Sequence, residues 1–370
     1  MSVVKDDKRT VNIYAENLVD DPAHPAISAE TDAEPPAEPP VSASRSFLAQ
    51  LVQIPCLIWA FTESNFITFV LPNTAFGVLS ALAGPELLQT SPSTGPLTSA
   101  TILWRALLSV AFNWANVLIF DLQNQTAPQS LAEDLANKPW RPIPSGRITT
   151  EQTQQSLFVA IPLCLALNRA LGVEREGLYI QVGSYVYNHL RGGDTMARDV
   201  LIAVAFYLFN TASLRIVAGS SLKHPAGTYL EDGVLERLQV LDVVSGPRLS
   251  PAGYTWVVLI SIVILTTMQV QDLKDQAGDR LRCRWTVPLA LGDWKSRVSL
   301  ALLVPFWTGF CACVWWPRGH WAIILPPVFI GATVTIRVLT KRSPKADSNT
   351  WKLWCLWGVG LYYLPPASLI

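Results

Sequence analysis

The chain has 370 residues, of which 50% are hydrophobic and only 15% are charged, and its mean hydropathy is +0.29. Soluble globular proteins carry about a quarter of charged residues, so this composition argues against a set of soluble domains. The 28 basic side chains balance the 28 acidic ones, which gives a nucleic-acid partner no electrostatic footprint. We therefore expect a chain whose partner is the lipid bilayer, with no nucleic acid and no inferred protein partner.

The first 45 residues differ from the rest of the chain. They contain nine acidic residues, four basic residues and six prolines. Such a segment buries too little apolar surface to offset the entropy cost of ordering, and it lacks the apolar core of a secretory signal. We predict a disordered, acidic, proline-rich cytosolic tail over residues 1–45 and a membrane-embedded catalytic domain over residues 46–370.

From Leu51 onward, apolar stretches of near membrane-spanning length alternate with short polar links. We count nine of them, at about 52–83, 99–121, 153–171, 176–190, 199–218, 254–272, 297–316, 319–340 and 351–369. The first is long and contains Pro55 and Pro72, which predicts one bent helix rather than two spans. The predicted fold class is all-α, a multi-pass transmembrane bundle of about nine helices.

The distribution of basic residues predicts how the bundle is oriented. Four alternate links, at 122–152, 191–198, 273–297 and 341–350, contain 14 Lys and Arg residues, whereas the opposite links contain six. Cytosolic links carry the excess of positive charge. The N-terminus and these four links are therefore predicted to lie in the cytosol, and because no transit signal is present the endoplasmic reticulum is the simplest location.

Three aspartates follow the sixth apolar stretch. On a regular helix, Asp272, Asp275 and Asp279 would project from one sector of about 60°. Three carboxylates on one helix face repel each other unless a cation neutralises them, and Mg²⁺ is a hard cation that binds carboxylates and substrate phosphates together. Ionisable residues at the rim of a membrane bundle are costly and usually functional, so we interpret the cluster as a magnesium site rather than as a solvated loop.

A second polar cluster follows the second apolar stretch, on the same predicted face. Its acidic and amide members are Asp121, Asn124, Gln125, Glu133 and Asp134. A proline-punctuated basic loop with Lys138 and Arg141 comes directly after them. A magnesium-chelated diphosphate needs acids to hold the metal and basic side chains to meet the remaining phosphate charge. The two clusters together therefore indicate a diphosphate site.

These motifs resemble those of the UbiA superfamily of intramembrane prenyltransferases. That superfamily carries a first motif NxxxDxxxD, often continued by DxxNKPxRPxPSG, and a second motif DxxDxxxD. Residues 134–146 reproduce the continuation, and Asp272, Asp275 and Asp279 match the second motif. The resemblance covers roughly residues 50–369 and implies a helical bundle with a central apolar cavity, dependence on Mg²⁺ and a prenyl diphosphate substrate.

The first motif departs from the usual pattern. Asp134 lies thirteen positions after Asp121, where four are usual, and Val117 stands at the usual Asn position. The inserted stretch resembles a fungal branch of the superfamily that includes terpene cyclases. The segment that contains Tyr187 and Asn188 resembles the same branch, although His189 stands where the branch has Asp.

The clusters and the resemblance together assign the site residues. The expected catalytic residues are Asp121, Asp134, Asp272, Asp275 and Asp279. The expected magnesium ligands are these five with Asn124, Gln125 and Glu133. The expected diphosphate-binding cations are Arg105, Lys138, Arg141 and Arg280, and the candidate secondary residues of the cavity are Asn113, Asn116, Tyr187 and Asn188. Arg105 belongs to this set because a buried Arg in an apolar helix is either paired or aimed at an anion; both readings stay open.

Three functions remain after this reasoning. The first is a magnesium-dependent terpene cyclase of UbiA type, which ionises farnesyl or geranylgeranyl diphosphate and cyclises it to a hydrocarbon. The alternative is a UbiA-type prenyltransferase that alkylates an aromatic or other acceptor, since the motifs serve ionisation in both enzymes. A transporter that uses the acids as a cation site is a minor alternative, because transporters place such residues near the midplane of the membrane. The resemblance to the fungal branch favours cyclisation.

Overall fold

The computed structural model describes residues 47–89, 98–219, 248–316 and 321–369, and the predicted tail over residues 1–45 lies outside them. The described residues all belong to one compact unit. The helices in chain order are α1 (Phe47–Asn65), α2 (Leu71–Leu82), α3 (Ser99–Gln125), α4 (Pro128–Asn137), α5 (Thr150–Ala170), α6 (Glu174–Asn188), α7 (Arg198–Ala218), α8 (Pro251–Thr267), α9 (Gln276–Leu281), α10 (Val287–Leu291), α11 (Asp293–Val314), α12 (Leu325–Thr340), α13 (Pro344–Tyr362) and α14 (Leu364–Ala367).

Each predicted apolar stretch contains a long helix, but not every one has the length and hydropathy typical of a membrane span. Within the described ranges, six helical runs are long and apolar enough: Gln53–Leu82, Ser99–Gln125, Arg198–Ala218, Pro251–Gln271, Asp293–Val314 and Trp321–Thr340. The helices α5, α6 and α13 occupy the other three stretches without meeting the same length and hydropathy. The all-α multi-pass class is confirmed, whereas a count of nine spans is not.

The first span is one helical run with a local irregularity. α1 and α2 are joined by a π-helical turn over Phe66–Val70, and Pro72 lies in the first turn of α2, where a missing N–H is tolerated. π-helical turns inside helices are frequent at functional sites. This turn places Thr68 and Phe69 beside the cavity described below.

The helices α3 and α7 run in opposite directions and connect the two ends of the bundle. Arg105, near the start of α3, donates a hydrogen bond to the carbonyl of Val217 at the end of α7. Asp121, near the end of α3, and Arg198, at the start of α7, both line the cavity. We call the end with Arg105 and Val217 the far end of the bundle. The end with Asp121 and Arg198 is the mouth. A short two-stranded ribbon pairs β1 (Leu88–Gln89) with β2 (Arg248–Leu249) in antiparallel register.

The second motif does not form the single helix face that its spacing suggests. After α8, the chain forms a 3₁₀ turn over Met268–Gln271 and an irregular turn over residues 272–275, and α9 begins at Gln276. The expected sector shared by Asp272, Asp275 and Asp279 is therefore wrong. The physical reason is that Asp272 and Asp279 pair with Arg198 and Arg284, which lie on different segments of the chain.

Candidate active site

A cavity of about 220 Å³ lies among α3, α6, α7 and α13 at the mouth of the bundle. Its charged lining residues come from helix ends and links, and they are Asp121, Glu133, Lys138, Arg141, Arg198, Lys274, Asp275 and Arg284. Its large apolar lining residues come from the helices and the π-helical turn, and they include Phe69, Val117, Phe120, Tyr187, Phe206, Phe209, Met268, Trp351 and Trp354. The cavity thus joins a charged mouth to an apolar and aromatic interior.

Asp121 is buried at the mouth, where α3 meets the end of α1. Its Oδ1 accepts a hydrogen bond of 2.7 Å from the Asn65 amide. Its Oδ2 is buried and has no hydrogen-bond partner among the described residues. An orphaned buried carboxylate oxygen costs free energy, so Oδ2 is a ready acceptor for a cation or a proton donor in the cavity.

The amides expected beside Asp121 take different roles. Asn124 lines the cavity and donates a hydrogen bond of 2.9 Å to Asn188, which joins α3 to α6. Tyr187 also lines the cavity, and its ring packs against Phe120 with 5.2 Å between the centroids. The amide of Gln125 donates instead to the Phe61 carbonyl.

The first motif continues in α4 and the basic loop after it. The guanidinium of Arg141 donates from Nη1 to both oxygens of Asp134, at 2.7 and 2.9 Å. Burial raises the pKa of Asp134 against the opposing effect of Arg141. The side-chain ammonium of Lys138 lines the cavity without a hydrogen bond to any residue that the structure describes. Burial and the nearby Arg141 guanidinium together lower its pKa to about 8.

The aspartates of the second motif have separate cationic partners. Asp272 is buried and forms a two-pronged ion pair with Arg198, at 3.0 and 2.7 Å. Asp275 pairs with Lys274 and lines the cavity. Burial alone would raise the pKa of Asp275, but the ammonium groups of Lys138 and Lys274 outweigh it and lower that pKa. Asp275 is therefore ionised at the mouth.

Asp279 is held away from the cavity by Arg284, whose Nη1 donates to its Oδ1 at 3.0 Å. Burial raises the pKa of Asp279 to about 7. The same Arg284 also donates to Glu133, at 3.2 Å to each carboxylate oxygen. Of the eight expected metal ligands, four line the cavity, and they are Asp121, Asn124, Glu133 and Asp275.

Two of the four expected cations are not at the cavity. Arg105 lies sixteen positions before Asp121, which is about 24 Å along a helix, and it bonds to the Val217 carbonyl at the far end. Arg280 is exposed on α9. These positions correct the expectation that either side chain faces a diphosphate. Both assignments rested on the residue type, and the sequence does not show which end of the bundle or which face of a helix an arginine occupies.

Two candidate secondary residues form amide networks between helices. Asn113 donates to Thr74 and Ser213, at 2.9 and 3.0 Å. Asn116 donates to Asn168 and accepts from Gln181, each at 2.9 Å. Neither Asn113 nor Asn116 lines the cavity. They join membrane helices to each other, a common role for buried amides in such bundles.

Sequence reasoning missed three residues at the mouth. Arg198, Arg284 and Lys274 all line the cavity. Arg198 and Arg284 stand beside motif segments, but nothing in their spacing distinguishes them from Arg280. Lys274 lies inside the second motif and places its ammonium 4.7 Å from the centroid of the Trp351 ring. Its position between Asp272 and Asp275 was a signal that could have been used.

The donor set at the mouth suits magnesium. Within the described ranges, no three carboxylate, imidazole or thiolate side chains converge closely enough to hold a metal ion by themselves. Magnesium is usually bound by one or two carboxylates together with substrate phosphates and water. Asp121 has an orphaned oxygen and Asp275 is ionised, so these two carboxylates fit that pattern.

Comparison with known proteins adds relatives of similar length. The chain is 29% identical over 309 residues to the somaliensene A/B synthase of Streptomyces somaliensis, covering 81% of this chain and 88% of that protein. Two proteins of Hericium erinaceus are each 25% identical. The diterpene cyclase eriG matches over 305 residues, which is 80% of this chain and 83% of its own. The polyprenyl transferase eriF matches over 312 residues, which is 83% of this chain and 92% of its own.

A solved structure shares the fold. The UbiA homologue from Archaeoglobus fulgidus bound to GPP and Mg²⁺ superimposes with a TM-score of 0.51 at 15% identity, covering 84% of this chain and 99% of that one. The model of the UbiA prenyltransferase family matches residues 71–356, which include both motifs and most of the cavity. The chain is therefore a membrane enzyme that belongs to the UbiA prenyltransferase family.

Proposed function

We propose that this protein is a magnesium-dependent terpene cyclase, which ionises farnesyl or geranylgeranyl diphosphate and cyclises the chain to a hydrocarbon of secondary metabolism. The observation that carries the proposal is the cavity, in which a charged mouth meets an apolar and aromatic interior. A prenyl diphosphate has the same two parts, an anionic head and an apolar tail. The similarity to a diterpene cyclase supports cyclisation.

The head of the substrate is bound by the cations of the mouth. The ammonium of Lys138 has no described hydrogen-bond partner and lines the cavity, so it is available to phosphate oxygens. Arg141 keeps Nη2 and Nε in addition to the Nη1 that pairs with Asp134. Charge-assisted bonds of this kind are stronger than neutral hydrogen bonds, and they also stabilise the charge that develops on departing pyrophosphate.

Magnesium would be held by Asp121 and Asp275, with Asn124 as a further oxygen donor from the cavity wall. When bound, the ion would supply Lewis acidity that stabilises the negative charge developing on the departing pyrophosphate. Asp134, Asp272 and Asp279 stay predicted ligands, and each of them is paired with an arginine in the structure.

The reaction begins with heterolysis of the bond between the allylic carbon and the ester oxygen that joins it to the α-phosphate. The electron pair leaves with pyrophosphate, which Lys138 and Arg141 retain at the mouth. The carbon chain keeps the positive charge in the apolar interior, where few water molecules can capture it. In a cyclase, a double bond of the same chain attacks this carbon, and loss of a proton from the final cation completes a neutral hydrocarbon.

A prenyltransferase is the second candidate, because a polyprenyl transferase is as similar to the chain as a diterpene cyclase is. In that enzyme, the same cation alkylates a separate acceptor. The ionising residues are shared, so both candidates predict the same effects of mutation at the mouth. They differ in whether an acceptor is required.

The acceptor requirement is tested directly on membranes that contain the full chain. Farnesyl and geranylgeranyl diphosphate are supplied separately with Mg²⁺ and without an acceptor, and the extract is examined by gas chromatography with mass spectrometry. A cyclic hydrocarbon supports the cyclase. Product that forms only after an aromatic acceptor is added would establish the transferase, and membranes that carry Asp275→Asn serve as the control for other activities.

Location and orientation are part of the proposal. We infer a multi-pass protein of the endoplasmic reticulum whose mouth and N-terminus face the cytosol, because the links that build the mouth carry the excess of basic residues. Residues 46–370 would form the catalytic domain and residues 1–45 a cytosolic tail. Accessibility of single cysteines to an impermeant reagent, introduced at Arg280 and at Arg105, tests the orientation because these residues lie at opposite ends.

A further inference from the structure

A group of buried ion pairs joins the first motif to the second beside the cavity. We propose that Glu133, Asp194, Arg282 and Arg284, here called the ion-pair clasp, are positioning residues that hold Lys138 against Asp275, and that Glu133 is not a metal ligand. The inference rests on the proposed function in one respect, namely that a diphosphate is the ligand of the mouth.

The clasp joins three segments through short contacts. Arg282 donates from Nε to Asp194 at 2.6 Å and from Nη1 to Glu133 at 3.0 Å. Arg284 donates to both oxygens of Glu133 at 3.2 Å. The main chain adds a bond of 2.9 Å from the Trp285 amide to the Asp194 carbonyl. Both oxygens of Glu133 are thus taken by guanidinium groups.

Charge balance assigns the clasp to structure rather than to ligand binding. Three carboxylates meet three guanidinium groups, because Arg284 also pairs with Asp279 and Arg191 pairs with Asp194 at 3.0 Å. A neutral cluster attracts neither a metal ion nor a diphosphate strongly. Removal of one member would leave an uncompensated buried charge, which is strongly destabilising, so the cluster holds its segments together.

The geometry carries this constraint to the mouth. Lys138 directly follows α4, which contains Glu133, and Asp275 directly precedes α9, after which Arg282 and Arg284 come. The two helices touch at Gly278, where an added Cβ would lie 2.1 Å from the amide nitrogen of Asn137 and 3.0 Å from Cγ of Glu133. That Asn137 amide donates to the Asp275 carbonyl at 3.4 Å. The separation of Lys138 and Asp275 is therefore set by how closely α4 and α9 are clamped.

The test measures binding of inorganic pyrophosphate with Mg²⁺ to the purified full chain by calorimetry, so that turnover is not needed. Glu133→Gln removes one charge of the clasp, and Gly278→Ala forces the Asn137 amide away from Asp275 without a change of charge. Each is expected to weaken pyrophosphate binding on the order of tenfold, as loss of supporting residues around a site typically does. Asp194→Asn provides a third variant if either one fails to fold.

Two matched controls report a loss of stability alone. Asp347→Asn removes a carboxylate from the buried pair with Arg297, at 2.9 and 2.8 Å, and neither residue lines the cavity. Gly309→Ala adds a methyl group in α11, where its Cβ meets nothing within 4 Å. We expect both to bind pyrophosphate as the wild type does, although Asp347→Asn lowers the melting temperature.

Each other outcome overturns the proposal in a recognisable way. Equal weakening by Asp347→Asn would mean that any lost ion pair loosens the mouth. Weakening by Glu133→Gln but not by Gly278→Ala or Asp194→Asn would make Glu133 itself a ligand. Unchanged pyrophosphate binding in all clasp variants would show that the clasp does not position Lys138 and Asp275. The proposed function fails separately, if the wild type neither binds pyrophosphate nor consumes a prenyl diphosphate, and the clasp then has no ligand to position.

Discussion

The two ends of α3 and α7 both carry buried or partly buried arginines, and the cavity described above lies at the mouth. At the far end, Arg105 bonds to the Val217 carbonyl, and Arg215 pairs with Glu176 and bonds to the Gly172 carbonyl. At the mouth, Arg198 pairs with Asp272. A guanidinium in a membrane helix is thus satisfied at either end, so its presence alone does not locate a site.

The ends differ in what remains after these pairs form. The mouth keeps the Lys138 ammonium without a described hydrogen-bond partner, the orphaned oxygen of Asp121, and the ionised Asp275, all beside an apolar cavity. Arg105, Arg215 and Glu176 do not line that cavity. The functional end is therefore the one whose charged groups lack a protein partner and face an accessible cavity. Each prediction below compares a residue or condition that acts at the mouth with one that acts elsewhere.

Removal of divalent metal should have the largest effect. A chelator in excess should abolish turnover of prenyl diphosphate, and added Mg²⁺ should restore it, since Asp121 and Asp275 cannot stabilise the leaving group without a cation between them and the phosphates. The melting temperature should stay nearly constant, because the clasp and the far end are held by protein cations. Full turnover after chelation would contradict the metal assignment.

The second largest effect is expected for Asp275→Asn. This substitution should lower kcat/KM on the order of 10²-fold, the loss typical of one electrostatic contact to developing charge. The matched variant at the far end is Glu176→Gln, which also removes a carboxylate paired with a basic side chain. It should keep kcat/KM within about twofold while it lowers the melting temperature. Equal losses of kcat/KM in the two variants would show that the mouth and the far end do not differ in their role in catalysis.

Lys138→Gln should raise KM for the diphosphate by about tenfold or more, because a hydrogen bond to a charged group contributes about 1.5–3 kcal/mol. The control Arg105→Gln also removes one basic side chain from a helix end. Since Arg105 bonds to a backbone carbonyl far from the mouth, its loss should leave KM unchanged. Steady-state kinetics would compare KM for the diphosphate in the two variants. A raised KM in Arg105→Gln would support the diphosphate-binding role first expected of Arg105.

The sequence predicted the helices better than the contacts of the charged residues. Hydropathy located every long helix among the residues that the structure describes, since burial in lipid requires long apolar runs whatever their neighbours are. The spacing of Asp272 and Asp275 suggested a shared helix face, but Asp272, which pairs with Arg198, and Asp275, which pairs with Lys274, lie in the irregular turn over residues 272–275 instead. Local spacing cannot report partners that lie 74 positions away.

The same limit explains the errors among the cations. Lys138 was found because it belongs to a long motif, and the motif carries its structural context with it. Arg280 shares that context but occupies the exposed face of a helix only six residues long, while Arg284, four positions later, lines the cavity. Four positions along the chain separate a side chain at the cavity from a solvated one. The orientation of such a short helix depends on tertiary contacts, here with α4 through Gly278.

Deletion of residues 1–45 should have the smallest effect, and the effect should depend on salt. The tail carries nine acidic and four basic residues, and it is proposed to share the cytosolic side with the mouth. At physiological ionic strength, charges more than about 8 Å apart are largely screened, so KM and kcat should change by less than about twofold. At low ionic strength the acidic tail repels an anionic substrate, and its removal should lower KM while kcat stays constant. A loss of kcat at every salt concentration would show instead that the tail takes part in folding or catalysis, and a salt-independent KM would place it away from the mouth.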